Sequence, residues 1–368
     1  GGNVVSLNSP TNAPGAADVA FKLPNADGSD GQALVTDGSG NLSFANAGSG
    51  TATNLIINGQ FDVWQRATTS GSTTSSGYKS ADRWYLEASG GTYTASQQAF
   101  DLGQTDVPSN PKYYLRFNAT TANDNMGPTQ RIEDVDSVQG QHTLSFWAKG
   151  TNPAGGSIQA SILQNFGSGG SADVGGQIGA FSLSSSWTKQ TFTFTPTSLS
   201  GKTIGSGSYF KIAIRQPSAD DTTTAWTLDI ANVKLEAGSK ATDYQRMNPG
   251  QELALCQRYF HTLEGDDNDF LAIGLSVNAG NHYMIHHFPQ PMRINPSYSS
   301  TSTNVDLLAA DSSSNINANT LAIVGPVTTP NPTLCWLYGN TSNTATGGQA
   351  CVWRPNANGL VMSFSAEL

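Results

Sequence analysis

Charge is scarce in this chain. Lys, Arg, Asp and Glu make up 12% of its 368 residues, about half of the ~25% usual for a soluble domain, so solubility rests on Ser, Thr, Asn and Gly. Positive charge is scarcer still, with 18 Lys and Arg against 27 Asp and Glu and a net charge of -9. Phosphate recognition needs clustered Lys and Arg, so nucleic acid is excluded as a partner. Cysteine is nearly absent: Cys256, Cys335 and Cys351 are odd in number and form no C-x-x-C pair. They read as reduced, buried thiols of a protein made in the cytosol, with a Cys335–Cys351 bridge left open. No apolar run approaches the ~18 residues of a membrane span and no signal peptide is present, so no membrane insertion is expected. The 39 glycines show no Gly-X-Y period, which excludes collagen. There is no G-x-S-x-G elbow, Walker A, H-E-x-x-H or complete G-x-G-x-x-G, and no catalytic residue is predicted. Carboxylate groups such as Glu133/Asp134/Asp136 and Asp220/Asp221 read as solvated loops rather than a glycosidase pair.

What is present is alternation. KYYLRFNA sets Tyr113, Leu115 and Phe117 on one face against Tyr114 and Arg116 on the other. HTLSFWAK sets Leu144, Phe146 and Ala148 inward and Trp147 outward, while SYFKIAIR aligns Phe210, Ile212 and Ile214. Period-two strands with Gly/Ser turns between them predict an all-β fold built on an antiparallel β-sandwich. In WTLDIANVKLEAG, Trp226, Leu228 and Ile230 share a phase that Val233 and Leu235 break, which predicts a β-bulge near Ala231 or Asn232.

Three regions follow. Residues 1–53 form a leader with one hairpin, Gln32–Thr36 and Asn41–Ala45, around an Asp-Gly turn. Residues 54–246 form the first sandwich. Residues 247–368 form a second, C-terminal β-sandwich domain preceded by a short connecting helix. In that helix, from about Pro249 to Gln257, Asn248 can cap, Pro249 suits the first position and Gln251 completes a capping box. PQPMRINP carries too many prolines for a central strand and must be an edge or a loop.

Sugars are bound by ring faces set among polar side chains, so outward aromatics are the signature to seek. Trp147, Tyr114 and Tyr209 lie off the apolar phase of their strands and qualify. Trp64, Trp84 and Tyr85 fit core filling better. In the second β-region Tyr283, Trp336, Trp353 and Arg354 are candidates, the last two beside Asn356 and Asn358. Along a strand His282 and His286 stand ~13 Å apart, too far to share a metal ion, and with His287 they read as surface or interface histidines. The acidic run Glu264 to Asp269 lacks EF-hand spacing and reads as a hairpin tip. No metal or other cofactor is predicted from these patterns.

NLIINGQFDVWQR and WTLDIANVKLEAG resemble the opening and closing strands of a carbohydrate-binding jelly roll. With YKSADRWYL, KLEAGSKATDYQR, ELALCQRYF and FPQPMRINP, in that order, they make most of the chain resemble bacteriophage tail-fibre or receptor-binding proteins. The resemblance implies a non-catalytic homotrimeric fibre, assembled in the host cytoplasm and carried on the virion. Its partners would be other virion tail or adaptor proteins and a bacterial surface glycan. It also implies a structural Ca²⁺ in the jelly roll, involving Asp229. A head fibre or capsid decoration protein, or a polysaccharide depolymerase, is the alternative.

Overall fold

The computed structural model describes residues 22–25, 32–36, 41–46, 53–153, 156–217, 224–278, 280–301, 305–309, 316–324, 333–341 and 347–368. Residues 1–52 and 53–368 form separate units. In the first unit β1 (Gln32–Thr36) and β2 (Leu42–Asn46) pair antiparallel, with Leu34 opposite Phe44. The turn between them lies outside the described residues.

The second unit opens with a two-sheet sandwich. Its strands are β3 (Gly77–Tyr78), β4 (Tyr85–Glu87), β5 (Thr92–Ala99), β6 (Tyr113–Thr121), β7 (Gly127–Glu133) and β8 (His142–Thr151). Then come β9 (Ile158–Asn165), β10 (Val174–Phe181), β11 (Thr188–Phe194), β12 (Tyr209–Arg215) and β13 (Trp226–Ala237). They form antiparallel sheets ordered β10-β9-β12-β7-β4-β3 and β11-β8-β13-β6-β5, so the chain crosses repeatedly from one sheet to the other in jelly-roll fashion. The alternation of the sequence decides what lies between the sheets: Leu115, Phe117, Leu144, Phe146, Phe210, Ile212, Leu228 and Ile230 are all fully buried. Trp226 packs on Phe117 at 5.4 Å, and Phe117 stacks on Tyr93 at 4.8 Å. Each such burial contributes roughly 1.5–3 kcal/mol, which is what drives the layers together. The register of β13 against β8 shifts between Ala231 and Lys234, and Asn232 has φ of 51°, so the bulge stands where the phase break predicts it.

A helix, α1 (Pro249–Gln257), leads into the second β-region. Asn248 caps it by accepting from the Gly250 N–H at 2.9 Å. Its buried residues are Glu252 and Cys256, whereas Leu253 and Leu255 are exposed. There follow β14 (Phe260–Gly265), β15 (Ala272–Asn278), β16 (Asn281–His287), β17 (Ser297–Ser300) and β18 (Val305–Ala309). The last strands are β19 (Ile316–Val324), β20 (Leu334–Thr341), β21 (Gln349–Pro355) and β22 (Leu360–Ser365). A three-stranded sheet β14-β22-β17 and a closed ring β15-β16-β20-β19-β18-β21 stand where the strand pattern predicts a second sandwich. Closure removes free strand edges, a benefit that alternation alone does not reveal. Cys256, Cys335 and Cys351 are free and buried.

The segments that carry the family resemblance converge on the junction of these two β-regions. Asn58, at φ 58°, closes a loop by accepting from the Val63 N–H at 3.0 Å and donating to Val63 O at 2.8 Å. Gly59 lies so close to β13 that a Cβ there would come within 2.2 Å of Val233 O, which explains the glycine of that segment. Glu252 of α1 accepts from the Asn58 N–H, and Gln65 donates to Phe260 O at 2.9 Å. Arg66 lies 3.6 Å over the Phe260 ring and Arg83 3.5 Å over the Tyr259 ring. Both arginines bind Glu367, Arg66 at 2.9 Å. Arg293, from the proline-rich loop, donates to Ala366 O and Glu367 O at 2.8 Å each. These motifs therefore hold the two β-regions together.

Candidate binding face

The outer face of the five-stranded sheet is set by register. Arg116 pairs with Ser96 on one side and Asp229 on the other, and Asp229 pairs with Lys149. One row of outward residues thus runs Ser96, Arg116, Asp229, Lys149 across four strands. Beside it, Gln98 pairs with Tyr114, while Ala231 pairs with Trp147 and Trp147 with Lys189. Period two makes these rows inevitable once Leu115, Phe146 and Ile230 point inward.

Onto this face folds the segment from Phe100 to Asn110. The bulge holds it: Asn232 donates to Pro108 O at 2.8 Å and Ser109 Oγ at 3.1 Å. Gln104 braces the segment against Val107 through bonds of 2.8 and 2.9 Å, and Val107 buries itself against Tyr114 and Ala231. The result is a cluster of rings. Phe100 lies 4.8 Å from Tyr114 and 5.2 Å from Trp187, and Tyr114 meets Trp187 edge-on at 5.2 Å. Trp147 packs against the same cluster, and Phe100, Trp147 and Trp187 remain half-buried.

Charge sits beside the rings. Arg116 grips Asp229 with both prongs of its guanidinium, at 2.7 and 2.8 Å, and this hydrogen bonding raises the arginine's affinity for its proton. Burial, then the Asp229 charge, raises the Tyr114 phenol above its usual range. The Lys149 ammonium lies 4.9 Å from the Trp187 ring and 5.6 Å from the Tyr114 ring. Such a face stacks flat apolar surfaces and reads hydroxyls or charges at their rim. Asp229, which the resemblance would place beside Ca²⁺, gives its carboxylate to Arg116. Among the described residues no group of three His, Cys, Asp or Glu is placed to hold a metal ion.

Of the residues predicted from sequence, Tyr114 and Trp147 come together here, but Tyr114 is buried against Val107, Phe100 and Trp187 instead of facing solvent, so Trp147 is the partly exposed one of the two. Tyr209 lies on the other sheet, paired with Glu133 and under the Arg131 guanidinium at 4.9 Å. Tyr283 is in the ring, 5.3 Å from Tyr338. Trp336 pairs with Ile285 in the ladder, and its side chain lies outside the described part. Arg354 is half-buried on β21. Trp353 is wholly buried, so it cannot meet a ligand: ring closure turns its phase, shared with Cys351, into the core. The histidines also differ from expectation. His282 is buried with Nδ1 2.8 Å from Ser276 Oγ, and His286 meets His261 Nε2 to Nε2 at 3.1 Å, leaving only His287 exposed. Phe100, Lys149, Trp187 and the Arg116–Asp229 pair are further residues of the face. A signal for Trp187 existed, because counting back by twos from inward Phe192 puts Lys189 and Trp187 outward.

No protein-family model matches the chain, and neither does any curated protein. Among solved structures, the CBM22-1 xylan-binding domain from Paenibacillus barcinonensis is similar at 14% identity over 50% of this chain and 94% of that one, with a TM-score of 0.30. A protein from Bacteroides thetaiotaomicron described as sugar-binding is similar at 14% identity over 50% of this chain and all of that one, TM-score 0.30. The enzymatically active domain of tailspike protein 4 of bacteriophage CBA120 is similar at 14% identity over 50% of this chain and 21% of that one, TM-score 0.28. Overlaps this partial carry no argument about function, and the two-sheet assignment rests on the strand order itself.

Proposed function

We propose that this chain is a non-catalytic adhesion protein that binds a bacterial surface glycan through the outer face of β11-β8-β13-β6-β5. The observation that carries the reading is the ring cluster of Phe100, Tyr114, Trp147 and Trp187 beside Lys149 and the Arg116–Asp229 pair. The partly exposed rings of Phe100, Trp147 and Trp187, packed on buried Tyr114 and rimmed by hydrogen-bonding groups, are what stacking on a sugar requires. The finer reading, a bacteriophage tail fibre acting on the virion as a homotrimer, draws on the sequence resemblance of the segments that build the junction. Exposed Ile273, Leu275, Val277 and Ile285 on the outside of the ring support self-association, since copies of one aliphatic strip can cover each other. Three sites on one fibre would add avidity without new contacts.

Glycan-array and whole-cell binding by Trp147→Ala and Trp187→Ala variants test the site. Each is expected to lose about fivefold or more, as truncating an aromatic anchor of a binding surface costs upward of about 1 kcal/mol. Wild-type binding by both variants would overturn the site. Reducing ends released from host polysaccharide would replace the adhesion reading with a depolymerase, and a head position in electron micrographs would replace the tail fibre with a head fibre.

A further inference from the structure

We infer that the glycan taken by this face is acidic, and that Lys149 reads its negative group, a carboxylate or a phosphate on the sugar. The inference rests on the glycan-binding reading above and narrows it. Lys149 stands opposite Asp229 in the ladder, where a lysine would ordinarily find its counter-ion. That carboxylate is already held by Arg116 at 2.7 and 2.8 Å. Among the described residues no other carboxylate pairs with Lys149, although its side chain is half-buried. The rings of Trp187 and Tyr114 place the ammonium without neutralising it, since a ring face supplies a quadrupole and no charge. A cation that has lost part of its water, finds no ion-pair partner among the described residues and keeps its three donors is ready to accept an anion.

Charge of both signs surrounds it, with exposed Asp101 and Asp106 on the covering segment. In a chain of net charge -9, the Arg116–Asp229 pair cancels, and exposed Lys189 adds a second cation opposite Trp147. Asp101 lies on the Tyr114 side. A neutral sugar would stack here and leave the Lys149 charge uncompensated. A sugar with a negative group one bond outside its ring would stack on Trp187 and reach the ammonium together.

The test is an array of neutral, uronate-bearing and phosphate-bearing oligosaccharides, with carboxyl-reduced counterparts of the uronates, probed with the full chain and with K149Q and K149R. Binding to an acidic class, a loss of about tenfold in K149Q, recovery in K149R and weakening with salt in wild type but not in K149Q are expected. Loss on carboxyl reduction assigns the carboxylate, and binding confined to phosphorylated sugars assigns the phosphate. Equal binding to neutral and acidic glycans, or acidic binding that K149Q leaves unchanged, overturns the inference and leaves the adhesion reading standing. No binding to any glycan overturns both. Unfolding of K149Q at the wild-type temperature establishes that the loss is local.

Discussion

On the sandwich, the outward positions of β6, β8 and β13 carry Tyr114, Arg116, Trp147, Lys149 and Asp229. On the ring, the outward positions of β15 and β16 carry Ile273, Leu275, Val277, Tyr283 and Ile285, and the four aliphatics are about half exposed or more. Both surfaces come from the same backbone alternation. Aliphatic side chains offer neither a ring face nor a hydrogen bond and gain only by leaving water. Aromatic and charged side chains can hold a ligand while staying wet. The same strand pattern therefore supports two kinds of contact, one suited to a polar ligand and the other to another protein surface.

The comparison breaks most severely where the two regions meet. Arg83 and Glu367 are both buried, their side chains 1% and 6% exposed. Glu367→Leu leaves Arg83 without its carboxylate, and removing one partner of a buried pair costs about 3–5 kcal/mol. Calorimetry is expected to show sandwich and ring melting apart in this variant; a single transition at the wild-type temperature would contradict the junction described above.

Acidification separates the regions with opposite signs. In the second region burial, then His261 and His287, lowers His286 to about 4, and burial also lowers His261 and His282. Their stabilising contribution is present above the unfolded value near 6.5 and is lost as pH falls toward about 4. For His286 alone the loss at pH 4.5 is roughly 2 kcal/mol. In the sandwich, burial raises Asp82 to about 6 despite Arg66 and Gln65. Its contribution is lost as pH rises through about 6, so acid favours it. Urea unfolding of wild type and His286→Asn at pH 7 and 4.5 is expected to show the second region's acid sensitivity shrinking in the variant. An unchanged difference would remove the histidine from the account.

The smallest effect concerns the ring's outer strip. Leu275→Asp is expected to change protomer stability by no more than about 0.5 kcal/mol, as exposed substitutions do, while lowering the sedimenting mass. An unaltered mass would free that strip from any role in association.

Legibility from sequence followed the range of the interactions involved. Strand phases around Leu115, Phe146 and Ile212, the helix Pro249–Gln257 and the bulge at Asn232 depend on neighbours a few residues away, and the text carries them. Trp353 shows the limit: its phase could be counted, but which phase faces the core depends on ring closure between β15 and β21, almost eighty residues apart. Phe100 reaches Tyr114 at the start of a segment arriving from β5 that a bulge on β13 anchors, and Trp187 reaches it through the pairing of β11 with β8.

By itself, then, the sequence determined an all-β chain of weakly charged, alternating strands, with the inward residues of β6, β8, β12 and β13 already named. Backbone geometry makes that local. Tertiary structure alone decided which outward residues share a surface, that Asp229 is spent on Arg116, and that Lys149 is left with rings and no counter-ion among the described residues. Those outcomes depend on register between strands distant in the chain, and register is fixed by packing over the whole sheet.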